Sequence, residues 1–135
     1  KGTNATVSMI AIRWDSASGG GAHAMLTISK GGKFWFINPT RGFVGGPFTT
    51  QAALDAAVKA YIETTYSATA GSVTISGPYA DHAALEKATS EVPAWHTNPA
   101  MRQRFVDFLN RFKIDPKPFF PKGMTPPTPS KKNPQ

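Results

Sequence analysis

The first long apolar segment of the chain is apolar on both of its alternating faces. In residues 5–14, ATVSMIAIRW, one face carries Val7, Met9 and Ala11 and the other carries Ile10, Ile12 and Trp14. A strand with one solvated face alternates apolar and polar residues, whereas a strand apolar on both faces is typical of a sheet covered on both sides. The segment therefore predicts an inner strand.

Two further strand-like segments are separated by a pair of glycines. HAMLTISK and KFWFIN flank Gly31 and Gly32, and two residues that tolerate positive φ are typical of the tightest β-hairpin turns. With this turn, Lys30 faces Lys33, and counting outward places Met25 opposite Asn38. The pattern predicts an antiparallel hairpin with a defined register.

The remaining segments predict helices and one short strand. Prolines and glycines predict a loop over residues 39–47, and SVTIS at 72–76 predicts a strand. Residues 49–66 have helical spacing and a cap at Thr49 or Thr50. A short helix follows Asp81, and another begins after Thr97 or Asn98. The apolar faces of the two long helices are Leu54, Val58, Tyr61, Ile62 and Thr65, and Met101, Phe105, Phe108, Leu109 and Phe112.

The order of these elements predicts an α+β fold with a mainly antiparallel sheet and flanking helices. We assign residues 1–114 to this domain and residues 115–135 to a proline-rich basic tail, which Phe119 and Phe120 pack near its start. Seven of residues 116–135 are proline, and such a segment cannot form a regular helix or an inner strand.

Charge and composition exclude several classes of function. Most of the net charge of +7 resides in residues 99–135, which hold eight Lys/Arg against two Asp/Glu. These lysines are interspersed with prolines and form no stripe with stacking aromatics, so we expect no nucleic-acid partner. No apolar run reaches the roughly 18–20 residues of a membrane span. His82 and His96 lie in different elements as surface or capping residues, so we expect no metal and no cofactor.

His23 and Asn38 are the candidate catalytic residues. In the predicted register both point to the same face of the hairpin as diagonal neighbours, with Cα atoms roughly 7–8 Å apart. An imidazole that acts as a base needs one nitrogen held by a partner, and an asparagine carbonyl can be that partner. The alternative is that His23 is an ordinary strand-end residue and that Asn38 begins an Asn-Pro turn.

The stretch HAMLTISKGGKFWFINPTRGF, followed by GPF and a helix patterned L-x-x-x-V-x-x-Y-I, resembles the C-terminal catalytic half of the YopT and AvrPphB family. These papain-like cysteine peptidases are bacterial effectors delivered into host cells. The resemblance implies that His23 is the triad histidine and that Asn38 stands where the family has aspartate. It also implies a secreted effector or toxin that hydrolyses protein amide bonds, as a peptidase or as a glutamine deamidase.

The nucleophile of that family is absent, because the chain contains no cysteine. Ser16 and Ser18 lie in a glycine-rich loop without a helix dipole to activate them, so neither replaces it. The chain is then a distal piece of a split enzyme, a piece lacking its front half, or a fold without chemistry. The expected partners are a protein substrate and the missing cysteine-bearing segment or another protein chain.

A noncatalytic binding module, using the hairpin face or the tail, is the alternative from another class of function. If the chain is a split piece, the hairpin face should be partly uncovered and should drive association with the missing segment or with a second copy. That face comprises His23, Met25, Thr27, Phe34, Phe36 and Asn38.

Overall fold

The computed structural model describes residues 5–89 and 98–130. Its strands are β1 (Thr6–Trp14), β2 (Gly21–Lys30), β3 (Lys33–Asn38), β4 (Phe43–Phe48) and β5 (Thr74–Tyr79). Its helices are α1 (Gln51–Tyr66), α2 (His82–Ala88) and α3 (Pro99–Arg111), and a 3-10 turn covers Lys117–Phe119. None of the helices in the described ranges has both the length and the apolar character needed to cross a bilayer.

The five strands form one antiparallel sheet in the order β4-β3-β2-β1-β5. Strand β1 therefore lies inside the sheet, as its pattern predicts. Its two faces belong to two different cores: Met9 and Ala11 pack into one buried cluster, and Ile10 and Ile12 into the other.

The β2–β3 hairpin has the predicted turn and register. Gly31 and Gly32 adopt φ angles of 60° and 79°, the left-handed region that glycine enters without steric cost. Lys30 pairs with Lys33, and the ladder continues to Leu26 opposite Ile37. Because the register is fixed, His23 and Asn38 lie on the same face at the open end of the hairpin.

Each face of the sheet is covered by helix. On one face, α1 contributes Leu54, Val58 and Ile62 to the cluster that contains Met25 and Phe36. On the other face, α2 and α3 pack on the second cluster, together with the start of the C-terminal segment. Its buried aromatic residues are Phe105, Phe119 and Phe120, so the predicted packing of Phe119 and Phe120 is confirmed.

Side-chain caps fix the starts of α1, α2 and α3. The Thr50 hydroxyl accepts from the backbone N–H of Ala53, the Asp81 carboxylate from Ala84, and the Asn98 carbonyl from Met101. Each cap satisfies a backbone donor that has no partner within the first turn. The predicted caps Thr50, Asp81 and Asn98 are confirmed, whereas the alternative Thr97 lies outside the described residues.

The predicted loop over residues 39–47 is wrong in its second half, because residues 43–48 form the edge strand β4. An edge strand tolerates proline, since one row of its backbone groups needs no partner in the sheet. Gly45 has a specific role: a Cβ atom there would lie 2.5 Å from the Phe36 ring. The predicted strand at 72–76 is displaced, and β5 spans Thr74–Tyr79.

The predicted uncovered hairpin face is also wrong, because α1 packs on it. Met25, Phe36 and Asn38 are buried, and His23, Thr27 and Phe34 are half-buried. The chain thus covers with its own helix the surface on which we expected a partner. The expectation of association through this face loses its physical basis.

Candidate active site

The candidate site lies where the ends of β2 and β3 meet the C-terminal half of α1. His23 is near the start of β2, and Asn38 is the last residue of β3. The Nε2 atom of His23 lies 2.8 Å from Oδ1 of Asn38, a normal hydrogen-bond length. The predicted pairing of these two side chains is therefore present in the fold.

Asn38 is fully buried, and its amide makes four hydrogen bonds. Oδ1 accepts from the backbone N–H of Thr40 at 3.2 Å as well as from His23. Nδ2 donates to the hydroxyls of Tyr61 and Tyr66, at 3.0 and 2.9 Å. A backbone N–H can only donate, so the atom facing Thr40 must be the oxygen. The network thereby assigns the orientation of the amide.

This orientation assigns the protons of the imidazole. Because Oδ1 can only accept, the Nε2 atom of His23 must carry a hydrogen and donate it. In the neutral ring, the lone pair then resides on Nδ1. A histidine in this state can accept a proton through Nδ1 while Asn38 holds the opposite side of the ring.

Aromatic side chains surround the pair on the β1 side. The Tyr66 ring lies 5.5 Å from the imidazole and stacks on Trp14 at 5.3 Å, measured between centroids. The Trp14 indole in turn lies against Gly21, where a Cβ atom would come within 2.5 Å of it. The guanidinium of Arg41 lies 5.2 Å from the centre of the Tyr66 ring. His23 is thus half-buried beside the Tyr66 ring, which also contacts the exposed guanidinium of Arg41.

The β4 side of the pair has a second aromatic group. The Tyr61 ring stacks on Phe43 at 4.5 Å and lies 5.4 Å from Phe36. The sequence pattern places Tyr61 on the apolar face of α1 but gives it no polar role, and it does not distinguish Tyr66. The available signal was the presence of two tyrosines in the helix that follows the His–Asn hairpin.

The other polar residues considered from the sequence have structural surroundings. Ser16 Oγ accepts from the backbone N–H groups of Ser18 and Gly20, and thereby shapes the β1–β2 loop. His82, expected at the surface or as a cap, is buried at the start of α2, 3.7 Å from Glu86, and Asp81 is the cap instead. His96 lies outside the described residues.

Within residues 5–89 and 98–130, no three acidic or histidine side chains converge in a way that could hold a metal ion.

Comparisons of the chain with protein-family models, with curated proteins and with solved structures found no match. Proposals about function therefore depend on the geometry of the His23–Asn38 site and on the sequence resemblance.

Proposed function

We propose that this chain supplies the histidine and the orienting asparagine of a papain-like cysteine hydrolase that acts on protein amide bonds. The observation that carries the proposal is the 2.8 Å contact between His23 Nε2 and Asn38 Oδ1, in an orientation assigned by the surrounding donors and acceptors. The resemblance of residues 22–66 to the YopT and AvrPphB family is the second support. The chain has no cysteine, so the thiol belongs to a segment outside it.

In the proposed mechanism, Nδ1 of His23 takes the proton of the thiol, and the resulting thiolate attacks the carbonyl carbon of the amide. The imidazolium then delivers that proton to the leaving amine as the C–N bond breaks. Asn38 holds the ring throughout through its carbonyl oxygen. Water subsequently hydrolyses the thioester and releases the acid.

The test uses the natural full-length protein and iodoacetamide, which alkylates thiolates and needs no knowledge of the substrate. We expect its cysteine to react rapidly at about pH 6, because an adjacent imidazolium lowers the pKa of a thiol. His23→Ala should slow this alkylation by about 10²-fold, since the thiol returns towards its ordinary pKa of about 8.5. Hydrolysis of a protein substrate should fall by about 10²- to 10⁴-fold.

Two substitutions at Asn38 extend this test. Asn38→Asp should keep most of the activity, because a carboxylate accepts the same hydrogen from Nε2 and both tyrosine hydroxyls can turn to donate. Asn38→Ala should lose it, and Asn110→Ala, an exposed amide on α3, is the matched control. A full-length protein without a cysteine, or unchanged alkylation in His23→Ala, contradicts the proposal.

Peptidase and glutamine deamidase activity differ in their products. A peptidase yields two shorter chains, whereas a deamidase converts a glutamine side chain to glutamate and leaves the substrate chain intact. Mass spectrometry separates these outcomes.

Because the resembling family consists of effectors, secretion into a target cell is part of the proposal. Secretion is tested by detecting the protein in culture supernatant and in target cells.

A noncatalytic binding module is the second candidate, and the surface at β4 favours it. Phe43 and Val44, on this edge strand, are 40% and 39% exposed. An edge strand with exposed apolar side chains can pair with an extended peptide through its backbone. If binding is the function, Val44→Asp abolishes partner capture while His23→Ala leaves it unchanged, and the enzyme proposal expects the reverse dependence for turnover.

A further inference from the structure

Two tyrosines of α1 reach the Asn38 amide from opposite directions along the sheet. The Tyr61 ring approaches from the β4 side, where it stacks on Phe43, and the Tyr66 ring approaches from the β1 side, where it stacks on Trp14. Their hydroxyls receive the two hydrogens of Nδ2. A primary amide has only two such hydrogens, so both are engaged within the chain.

We propose that Tyr61 and Tyr66 are positioning residues that fix the nitrogen end of the Asn38 amide and thereby hold its oxygen against Nε2 of His23, in the orientation that the Thr40 N–H selects. Neither hydroxyl needs to contact a substrate. The significance of this role for catalysis rests on the proposed function, whereas the state of the imidazole can be measured without it.

The orientation of the amide matters because an amide turned by 180° has nearly the same shape but the opposite polarity. In the turned orientation, Nδ2 would face Nε2 of His23, and two N–H groups cannot bond to each other. The imidazole would then carry its proton on Nδ1, the atom that must accept the thiol proton in the proposed mechanism. The orientation of the amide therefore controls which ring nitrogen is basic.

The Thr40 backbone N–H selects the orientation because it can only donate, whereas a tyrosine hydroxyl can donate or accept. Its contact with Oδ1 is nevertheless the longest of the four, at 3.2 Å. The two tyrosine contacts are shorter, and the stacked rings fix the positions of both hydroxyls. Because Asn38 is fully buried, an Nδ2 hydrogen that loses its acceptor remains without compensation from bulk water. Removing the hydroxyls should therefore loosen the amide at its nitrogen end.

The experiment is ¹⁵N NMR of the full 135-residue chain with labelled histidines, at a pH where His23 is neutral. The expected signature in the unmodified chain is a His23 Nε2–H proton that exchanges slowly with water. Tyr61→Phe and Tyr66→Phe should each speed this exchange by about tenfold, as the loss of a buried hydrogen bond implies. The double variant should show a larger change.

The chain provides a matched control, because its third tyrosine is Tyr79. Tyr79 lies on β5 and packs against the cluster on the opposite face of the sheet. Tyr79→Phe should leave the His23 signal unchanged. The backbone amide spectrum and the melting temperature verify that each variant is folded, and the single variants suffice if the double variant does not fold.

Two results would overturn the inference: an Nδ1–H tautomer in the unmodified chain, or folded Tyr→Phe variants that keep the original exchange rate at His23. Neither measurement requires a thiol or turnover. Failure of the hydrolase proposal would appear instead as unchanged alkylation in His23→Ala, even with the NMR signature intact.

Discussion

The two faces of the sheet are closed by different kinds of interaction. The core of the face that packs on α3 is apolar. There the centroid of the Phe105 ring lies 5.5 Å from that of Phe120 and 6.5 Å from that of Phe119. The face that packs on α1 is apolar in its middle but ends in a buried amide with four hydrogen bonds. The core of the first face consists of packed apolar side chains, whereas the second also contains hydrogen bonds with defined directions.

This difference separates stability from specificity. Apolar packing is roughly proportional to buried area and tolerates substitutions of similar volume. A buried polar network contributes little net stability when complete but is costly when one member is removed. We therefore expect large losses of stability from the α3 face and losses of site geometry from the α1 face.

The largest expected effect is that of Phe105→Ala. Truncating this fully buried ring should lower the free energy of unfolding by about 3–5 kcal/mol, because it removes buried apolar surface and leaves a cavity. Chemical denaturation measures the change. Phe112→Ala, at a 43% exposed ring, is the control and should cost less than about 1 kcal/mol. Equal losses of unfolding free energy in the two variants would show that the buried aromatic cluster contributes no more to stability than an exposed ring.

Asn38→Ala should lower the free energy of unfolding by a smaller amount, about 2–3 kcal/mol, because Tyr61, Tyr66 and Thr40 all lose a buried partner. The same variant should abolish the slow exchange of the His23 Nε2 proton, whereas folded Phe105→Ala protein should keep it. Denaturation and NMR on the same samples test both statements. A folded Asn38→Ala chain with an intact His23 signal would remove the distinction between the two faces.

Thr50→Ala should lower the free energy of unfolding by about 1 kcal/mol, since it removes the side chain that caps α1. The neighbouring Thr49→Ala is a matched control, because Thr49 lies outside the helix and outside this contact. Thermal melts followed by circular dichroism suffice to compare them. If the two variants melt alike, the cap contributes less to the α1 layer than its geometry indicates.

The smallest expected effect concerns the segment that follows Phe120. Ser130 Oγ donates to Asp107 at 2.7 Å, and Ser130→Ala should cost less than about 1 kcal/mol because the contact is exposed. Thr128→Ala is the control, since Thr128 bonds to Gln103 through its backbone oxygen. Hydrogen exchange at residue 130 should increase only in the Ser130 variant. A loss above 2 kcal/mol would indicate a tighter role for this segment.

The hairpin and its pair of polar residues could be predicted because both depend on local rules. Two glycines set the turn, the turn sets the register, and the register places His23 and Asn38 on one face. The inner position of β1 could likewise be predicted from its two apolar faces. These inferences require no knowledge of how distant segments pack.

The elements that sequence reasoning missed depend on contacts between distant segments. Strand β4 is rich in glycine and proline, and it forms because Gly45 admits the ring of Phe36 beside it. The coverage of the hairpin by α1 is a matter of tertiary packing. The hydroxyls of Tyr61 and Tyr66 are directed at Asn38 only once that packing exists. Helical spacing alone therefore places Tyr61 on an apolar face and predicts no hydrogen bond for either tyrosine.

Thr40 is bound at both ends of its backbone, and this links the two sides of the sheet mechanically. Its N–H donates to Asn38, while its carbonyl oxygen accepts from the guanidinium of Arg104 on α3, at 2.6 Å. The same residue therefore contacts α3 through its carbonyl oxygen and orients the Asn38 amide through its N–H. Residue 40 thus connects the apolar layer at α3 to the polar network around Asn38.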